Sequence, residues 1–136
     1  MLSMKAKYAI KALIVMGRNE GKMLQIKTIA KEAEAPQKFL EAILVDLKNH
    51  DIVSSKRGIF GGYYLAKPAK KIIMGDIVRI MDGPLAPIRC ASLTAYQKCD
   101  DCVSEKNCAI RKTMFEVRNA ISGVLDNKTL ADMISQ

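Results

Sequence analysis

The sequence has no apolar run long enough to cross a bilayer. Its longest, such as Ile72 to Met74 and Ala42 to Val45, fall far short of the roughly 20 residues a membrane-spanning helix needs. The first seven residues, Met1 to Lys7, lead straight into a helical pattern without an apolar signal core or small-residue cleavage site. That start predicts a protein that stays in the cytoplasm and makes no use of a membrane. Histidine is nearly missing too, with His50 alone in 136 residues. There is no nucleophile set beside a base, no phosphate-cradling glycine loop and no GxGxxG fingerprint, so the chain does not read as an enzyme.

What is present is cysteine and positive charge. Four cysteines in a reducing compartment are better read as metal-binding or redox groups than as structural disulfides. The net charge of +8 is uneven: residues 1–83 carry 15 Lys/Arg against 8 Asp/Glu, and the remaining residues are almost balanced. A surplus of that size suits a polyanionic partner, although a basic face is often only a solubility device. The length suits one packed domain with an appendage and is too short for two independent cores.

Ser3 is placed to cap a helix whose apolar positions Ala6, Ala9, Ile10, Leu13 and Ile14 recur at three- and four-residue spacing until about Gly17. After a loop with Gly21, Ile26 to Ala33 forms a short helix, broken at Ala35-Pro36. A second helix follows from Pro36 to about His50, with Leu40, Ile43, Leu44 and Leu47 inward and Gln37, Lys38, Glu41 and Lys48 exposed. Two short helices across a tight turn read as a helix-turn-helix.

Next come two β-prone runs around a basic, glycine-rich tip, Ser54-Ser55-Lys56-Arg57-Gly58-Ile59-Phe60-Gly61-Gly62-Tyr63. The glycines Gly58, Gly61 and Gly62 permit positive φ and close backbone approach, which a tip lying on a phosphate backbone requires. Coming directly after a helix-turn-helix, this hairpin reads as a wing. Ile72 to Met81 is expected to form a further helix capped near Asp76 and stopped by Asp82-Gly83-Pro84.

From Pro84 to Cys108 the periodicity vanishes, and all four cysteines lie there in the spacing C-x8-C-x2-C-x5-C. A structureless connection of that length is unusual unless it carries function or is disordered. Thiolates are soft ligands suited to an iron–sulfur cluster or zinc, and Cys99-x2-Cys102 is a common metal knuckle. Beyond it, Ile110, Met114, Val117, Ile121 and Val124 step by 4, 3, 4 and 3, the seam spacing of a helix paired with another long helix. The same stripe would serve a helix docked on its own domain, but two-fold half-site geometry favours a homodimer. Thr129 opens a capping-box-like Thr-x-x-Asp start to a short terminal helix.

The expected architecture is therefore mainly α with a small β-hairpin wing. It comprises a winged helix-turn-helix DNA-binding domain at 1–83, a cysteine-bearing loop at 84–108, and a dimerisation helix with a terminal helix at 109–136.

The run from Gln37 to Leu65, with Phe39-Leu40-Glu41 on the second helix and the wing quoted above, resembles the Rrf2 family of bacterial regulators. Gly75-Asp76-Ile77, the cysteines in the following loop, the long helix and the terminal Thr-Leu-Ala-Asp segment extend the likeness over essentially the whole chain. Members are dimeric winged-helix proteins that usually repress. They include the iron–sulfur regulator IscR, the nitric-oxide sensor NsrR and the cysteine regulator CymR, and the fold alone does not choose among these roles.

The resemblance implies that Lys38, Phe39 and Glu41 face the major groove of double-stranded, pseudo-palindromic DNA and that Arg57 approaches the minor groove. A glutamate can accept from cytosine N4, and arginine is drawn to the negative potential of a narrow minor groove. Gln37 adds amide contacts, Gly61 lets the tip lie close, and Lys5, Lys7, Lys27 and Lys56 are candidate phosphate contacts. Cluster-bearing relatives use three cysteines, here matched best by Cys90, Cys102 and Cys108, to hold a 2Fe–2S or 4Fe–4S cluster. IscR-like proteins add a histidine three residues after the last cysteine, where this chain has Arg111. Cys99 could complete an all-cysteine site, or Asp100, Asp101, Glu105 or another protomer could supply the last ligand. Zinc, a metal-free thiol switch and a partner-sensing regulator of the same fold remain as alternatives.

Overall fold

The computed structural model describes all of residues 1–136. Helix α1, Met4–Arg18, is the central pillar and packs against four of the other α-helices. Its buried face is built from Ala6, Ala9, Ala12, Leu13 and Met16. Three alanines on that face let neighbouring helices approach closely, and burying Leu13 alone is worth about 1.5–3 kcal/mol. Ser3 Oγ caps α1 by accepting from Ala6 N at 3.0 Å, as its position predicted.

Helices α2, Ile26–Ala33, and α3, Gln37–Asn49, form the helix-turn-helix. Glu34 adopts a left-handed φ of 51° to end α2, and its N–H reaches back to the α2 carbonyls. Pro36 then sits as the N-cap of α3, where its missing N–H costs nothing. The expected stripe of Leu40, Ile43, Leu44 and Leu47 is fully buried.

Strands β1, Val53–Lys56, and β2, Gly62–Leu65, pair antiparallel in the register Val53↔Leu65 to Lys56↔Gly62. Leu24, in the α1–α2 connection, exchanges both backbone hydrogen bonds with Tyr63 at 2.9 and 2.7 Å and so ties the hairpin to the helical body. Gly62 makes that possible, because a Cβ there would meet the Leu24 carbonyl oxygen at 2.6 Å.

Helix α4 runs Met74–Asp82, two residues later than the sequence pattern predicts, and its N-cap is Ile73 without a side-chain cap. Asp76 does not cap it. Asp76 lies in the first turn and pairs with Arg79 at 3.4 Å. The reason is tertiary: Ile72 and Met74 exchange backbone hydrogen bonds with Leu130 and Lys128, both at 2.8 Å, which holds residues 72–73 extended. Residues 84–108 contain no regular element beyond a single 3-10 turn, Arg89–Ala91.

Helix α5, Ala109–Leu125, has no buried residue. Helix α6, Leu130–Ile134, begins with the complete Thr129–Asp132 capping box and returns to the core, where Leu130 is fully buried. Its Leu130 and Ile134 side chains rest on Gly17, so that glycine is a packing notch inside α1, which continues one residue further.

Arg79 grips Asp126 at the end of α5 through two hydrogen bonds of 2.8 and 2.7 Å, and Ser122 Oγ donates to the same carboxylate at 2.6 Å. The Arg79 hydrogen bonds hold the Asp126 carboxyl below the usual carboxylate range. A depressed carboxylate stabilises the folded state fully above its unfolded pKa, and the benefit disappears as pH falls through the folded value. The pair is partly exposed, so the expected loss is at most of order 1 kcal/mol. Thermal melts from pH 7 down to 3 should therefore fall less steeply for Asp126→Asn than for wild type. An equal slope would show that the pair contributes nothing.

Candidate nucleic-acid interface and cysteine pocket

The buried stripe of α3 forces the opposite face outward. Gln37, Lys38, Phe39 and Glu41 are all exposed on its N-terminal half, the part of a recognition helix that meets base edges. Phe39 is 55% exposed, with its ring tilted against Tyr8 at a centroid distance of 5.9 Å. Neither Lys38 nor Glu41 is held in an ion pair. Lys5, a candidate phosphate contact, is already engaged with Asp46 of α3 at 2.8 Å. Lys7, Lys27 and Lys56 are exposed and make no ion pair. His50 sits at the α3 C-cap with Nδ1 at 2.8 Å from the Asp46 carbonyl oxygen, far in role from any ligand.

The wing springs from the end of α3. Ile52 N–H donates to Leu47 O at 2.9 Å, and Lys48 Nζ donates to Ser55 Oγ at 2.7 Å. Lys56 and Arg57 are exposed at its tip. Gly61 has a reason internal to the hairpin, since a Cβ there would collide with the Lys56 carbonyl. Sequence reasoning overlooked Ile59 and Phe60, which are 87% and 91% exposed at the tip. The signal available was two large apolar residues between glycines.

All four cysteines line one open pocket of about 450 Å³, together with Ile88, Asp101, Val103, Ser104, Asn107, Ile110 and Arg111. Cys90 is buried in the 3-10 turn, while Cys99 stands beside it with the two sulfurs 3.7 Å apart. The hydrogen bond to Cys90, then burial, holds the Cys99 thiol above its ordinary value. Cys102 N–H donates to Cys99 O at 3.2 Å, and Cys108 Sγ caps α5 by accepting from Arg111 N at 3.4 Å. Arg111 Nε donates to the Cys90 carbonyl at 3.1 Å and lies 3.6 Å from Glu105, whose carboxylate accepts from the Tyr96 hydroxyl. Arg111 thus spans from the first turn of α5 to the backbone of Cys90. Tyr96, Glu105 and Arg111 form a clasp that no local pattern announced.

The donor set fits a soft-metal centre in part. With metal–thiolate bonds of about 2.3 Å, tetrahedral sulfurs stand about 3.8 Å apart, which is the Cys90–Cys99 spacing. No three His, Cys, Asp or Glu side chains are grouped closely enough to hold one metal ion.

Residues 2–136 match the protein-family model described as Rrf2, iron-dependent transcriptional regulator. The chain is similar to an rrf2-like HTH-type transcriptional regulator of Rhodobacter capsulatus, with 42% identity over 99% of this chain and 93% of that one. Among solved structures it is similar to CymR, the global cysteine regulator of Bacillus subtilis, at 30% identity and a TM-score of 0.81, covering 99% of this chain and 96% of that one. It is also similar to the IscR of T. potens, at 29% identity and a TM-score of 0.75, covering 99% and 86%.

Proposed function

The chain belongs to the Rrf2 family of transcriptional regulators, whose matched relatives are regulators and not enzymes, and from that premise we propose that it works as a homodimeric repressor on pseudo-palindromic double-stranded DNA, controlled by an iron–sulfur centre in its cysteine pocket. The observation that carries the sensing half is the convergence of Cys90, Cys99, Cys102 and Cys108 on one cavity. The DNA half is supported by the exposed Gln37, Lys38, Phe39 and Glu41 on α3 and by Lys56 and Arg57 on the wing that α3 anchors.

Cys90, Cys99, Cys102 and Cys108 would hold the cluster. When bound, the cluster supplies charge and metal–thiolate bonds that respond to iron supply, oxidants or nitric oxide. The chain's own residues carry the consequence outward. Cys108 caps α5, and Arg111 of α5 holds the backbone of Cys90, so a rearranged cysteine loop pulls on the first turn of the dimerisation helix. The distance between the two recognition helices of a dimer then changes. Such a switch works only if the loaded loop favours one dimer geometry over the other.

Anaerobic purification followed by a visible spectrum and iron, sulfide and zinc analysis tests this directly. The expected wild-type protein is brown and carries iron and sulfide, both lost in Cys102→Ala. A colourless protein with zinc would move the reading to a structural zinc site. A second reading rests on the Cys90–Cys99 spacing: the pair needs to close by only about 1.7 Å to form a disulfide. A colourless, metal-free protein whose Cys90 and Cys99 peptides become linked on mild oxidation, with loss of two hydrogen atoms, would favour that thiol switch.

A further inference from the structure

We propose that Ile59 and Phe60 form an apolar wedge that enters the DNA minor groove from the wing, opens a base step and bends the duplex. The proposal rests on the DNA-binding reading above and adds a contact that reading does not contain. Ile59 and Phe60 are 87% and 91% exposed, the most exposed large apolar residues outside the chain's first residue and Val103. Holding two large apolar side chains in water is unfavourable, and burial against a partner would relieve it.

The hairpin presents them firmly. Gly58 takes a φ of 108°, and Gly61 N–H donates to Gly58 O at 3.0 Å, which closes the turn around the pair. Gly61 packs against the Lys56 carbonyl, so the tip is narrow where it must enter a groove.

The surroundings choose the partner. From Ile52 to Gly75 there is no acidic residue, while Lys56, Arg57, Lys67, Lys70 and Lys71 are all basic. Two side chains at a hairpin tip fall well short of the roughly 800 Å² per partner of a standard protein–protein interface. They are the right size and kind for insertion between bases, where apolar side chains unstack a step and kink the duplex by about 20–90°. The wing grows from the last turn of α3 through Leu47 and Lys48, so it falls on DNA flanking the bases that α3 faces. Unstacking is easiest at pyrimidine–purine steps and hardest in stiff A-tracts. The wedge therefore reads deformability at base pairs where no side chain hydrogen-bonds.

The test begins with duplexes enriched from a random pool by the wild-type protein. A fluorophore pair on the duplex ends reads the bend, and 2-aminopurine placed at each flanking step reads unstacking. Wild type should bend the duplex by tens of degrees and brighten one flanking step several-fold. Phe60→Ala should abolish the brightening, reduce the bend by at least half and weaken binding about 3- to 10-fold on a TA-bearing site. The weakening should be smaller when that step is replaced by an A-tract. Arg57→Ala should weaken binding while leaving the brightening intact. An unchanged bend and an unchanged 2-aminopurine signal in the Ile59→Ala/Phe60→Ala double variant would overturn the wedge alone. That result would leave the tip to a protein partner. Failure to enrich any duplex would overturn the DNA-binding reading and the wedge with it.

Discussion

Val117→Glu is expected to turn the protein into a well-folded monomer and to weaken binding to an operator duplex by about 100- to 10,000-fold, the usual advantage of engaging two linked half-sites. Helix α5 is 17 residues long without one buried residue, yet it carries Ile110, Met114, Val117, Ile121 and Val124 on one seam. Ile110 and Val124 are 66% and 61% exposed, and Val117 is 38% exposed. Helices of this length owe most of their stability in water to packing of an apolar face, so a second copy of α5 is the natural cover. A glutamate at the middle of that seam would be brought against its own two-fold mate, desolvated and unpaired, a cost of several kcal/mol. In the monomer the same glutamate would stand in water and cost little. Sedimentation velocity and gel-shift titration check both halves, with Val117→Leu as the conservative control that should stay dimeric. A Val117→Glu protein that sediments as a dimer would place the interface elsewhere.

What was legible in the sequence was whatever is encoded locally. The helix-turn-helix follows from the Leu40, Ile43, Leu44, Leu47 stripe and from Pro36, and the hairpin follows from β-prone runs around glycines. The terminal helix follows from Thr129 and Asp132, which build the predicted capping box. What was not legible depends on residues far apart in the chain. The start of α4 shifted because Ile72 is taken by Leu130, and the Arg79–Asp126 clasp joins residues 47 positions apart. Lys5 looked free for phosphate until folding brought Asp46 to it.

The cysteine spacing marked a site but not its internal order. The short Cys99-x2-Cys102 interval drew attention to that pair, whereas the loop folds to bring Cys99 against Cys90, nine residues earlier. Nothing in the spacing encodes the clasp of Tyr96, Glu105 and Arg111, because its members sit in an irregular segment without periodicity to read.

Leu130→Ala should destabilise the fold by about 2–5 kcal/mol, the range for emptying a buried leucine site, although it lies only six residues from the C-terminus. Leu130 is fully buried in the same core as Leu13 and Ile77, and its backbone N–H is spent on Ile72. Neighbours cannot easily collapse into the vacated space, because α6 is held from both ends by the Thr129–Asp132 cap and by Ile134 resting on Gly17. Urea denaturation in the Val117→Glu background isolates this loss from dimer dissociation, which would otherwise make stability depend on concentration. There the midpoint should fall with little change in slope, and Leu130→Met should cost below about 1.5 kcal/mol. A loss under about 1 kcal/mol would mean that α6 is frayed and not part of the core. On the proposed cluster-controlled reading the magnitude matters for signalling, because the Leu130 and Lys128 backbone bonds to Ile72 and Met74 seat the residues just after α5 on the core, beside the Arg79–Asp126 clasp, while the cysteine pocket holds its first turn through Cys108 and Arg111. A helix pinned firmly at one end and adjusted at the other pivots about the pinned end. Loosening Leu130 should therefore also blunt the difference in operator affinity between the cluster-loaded and cluster-free dimers, which gel-shift titration of both forms measures.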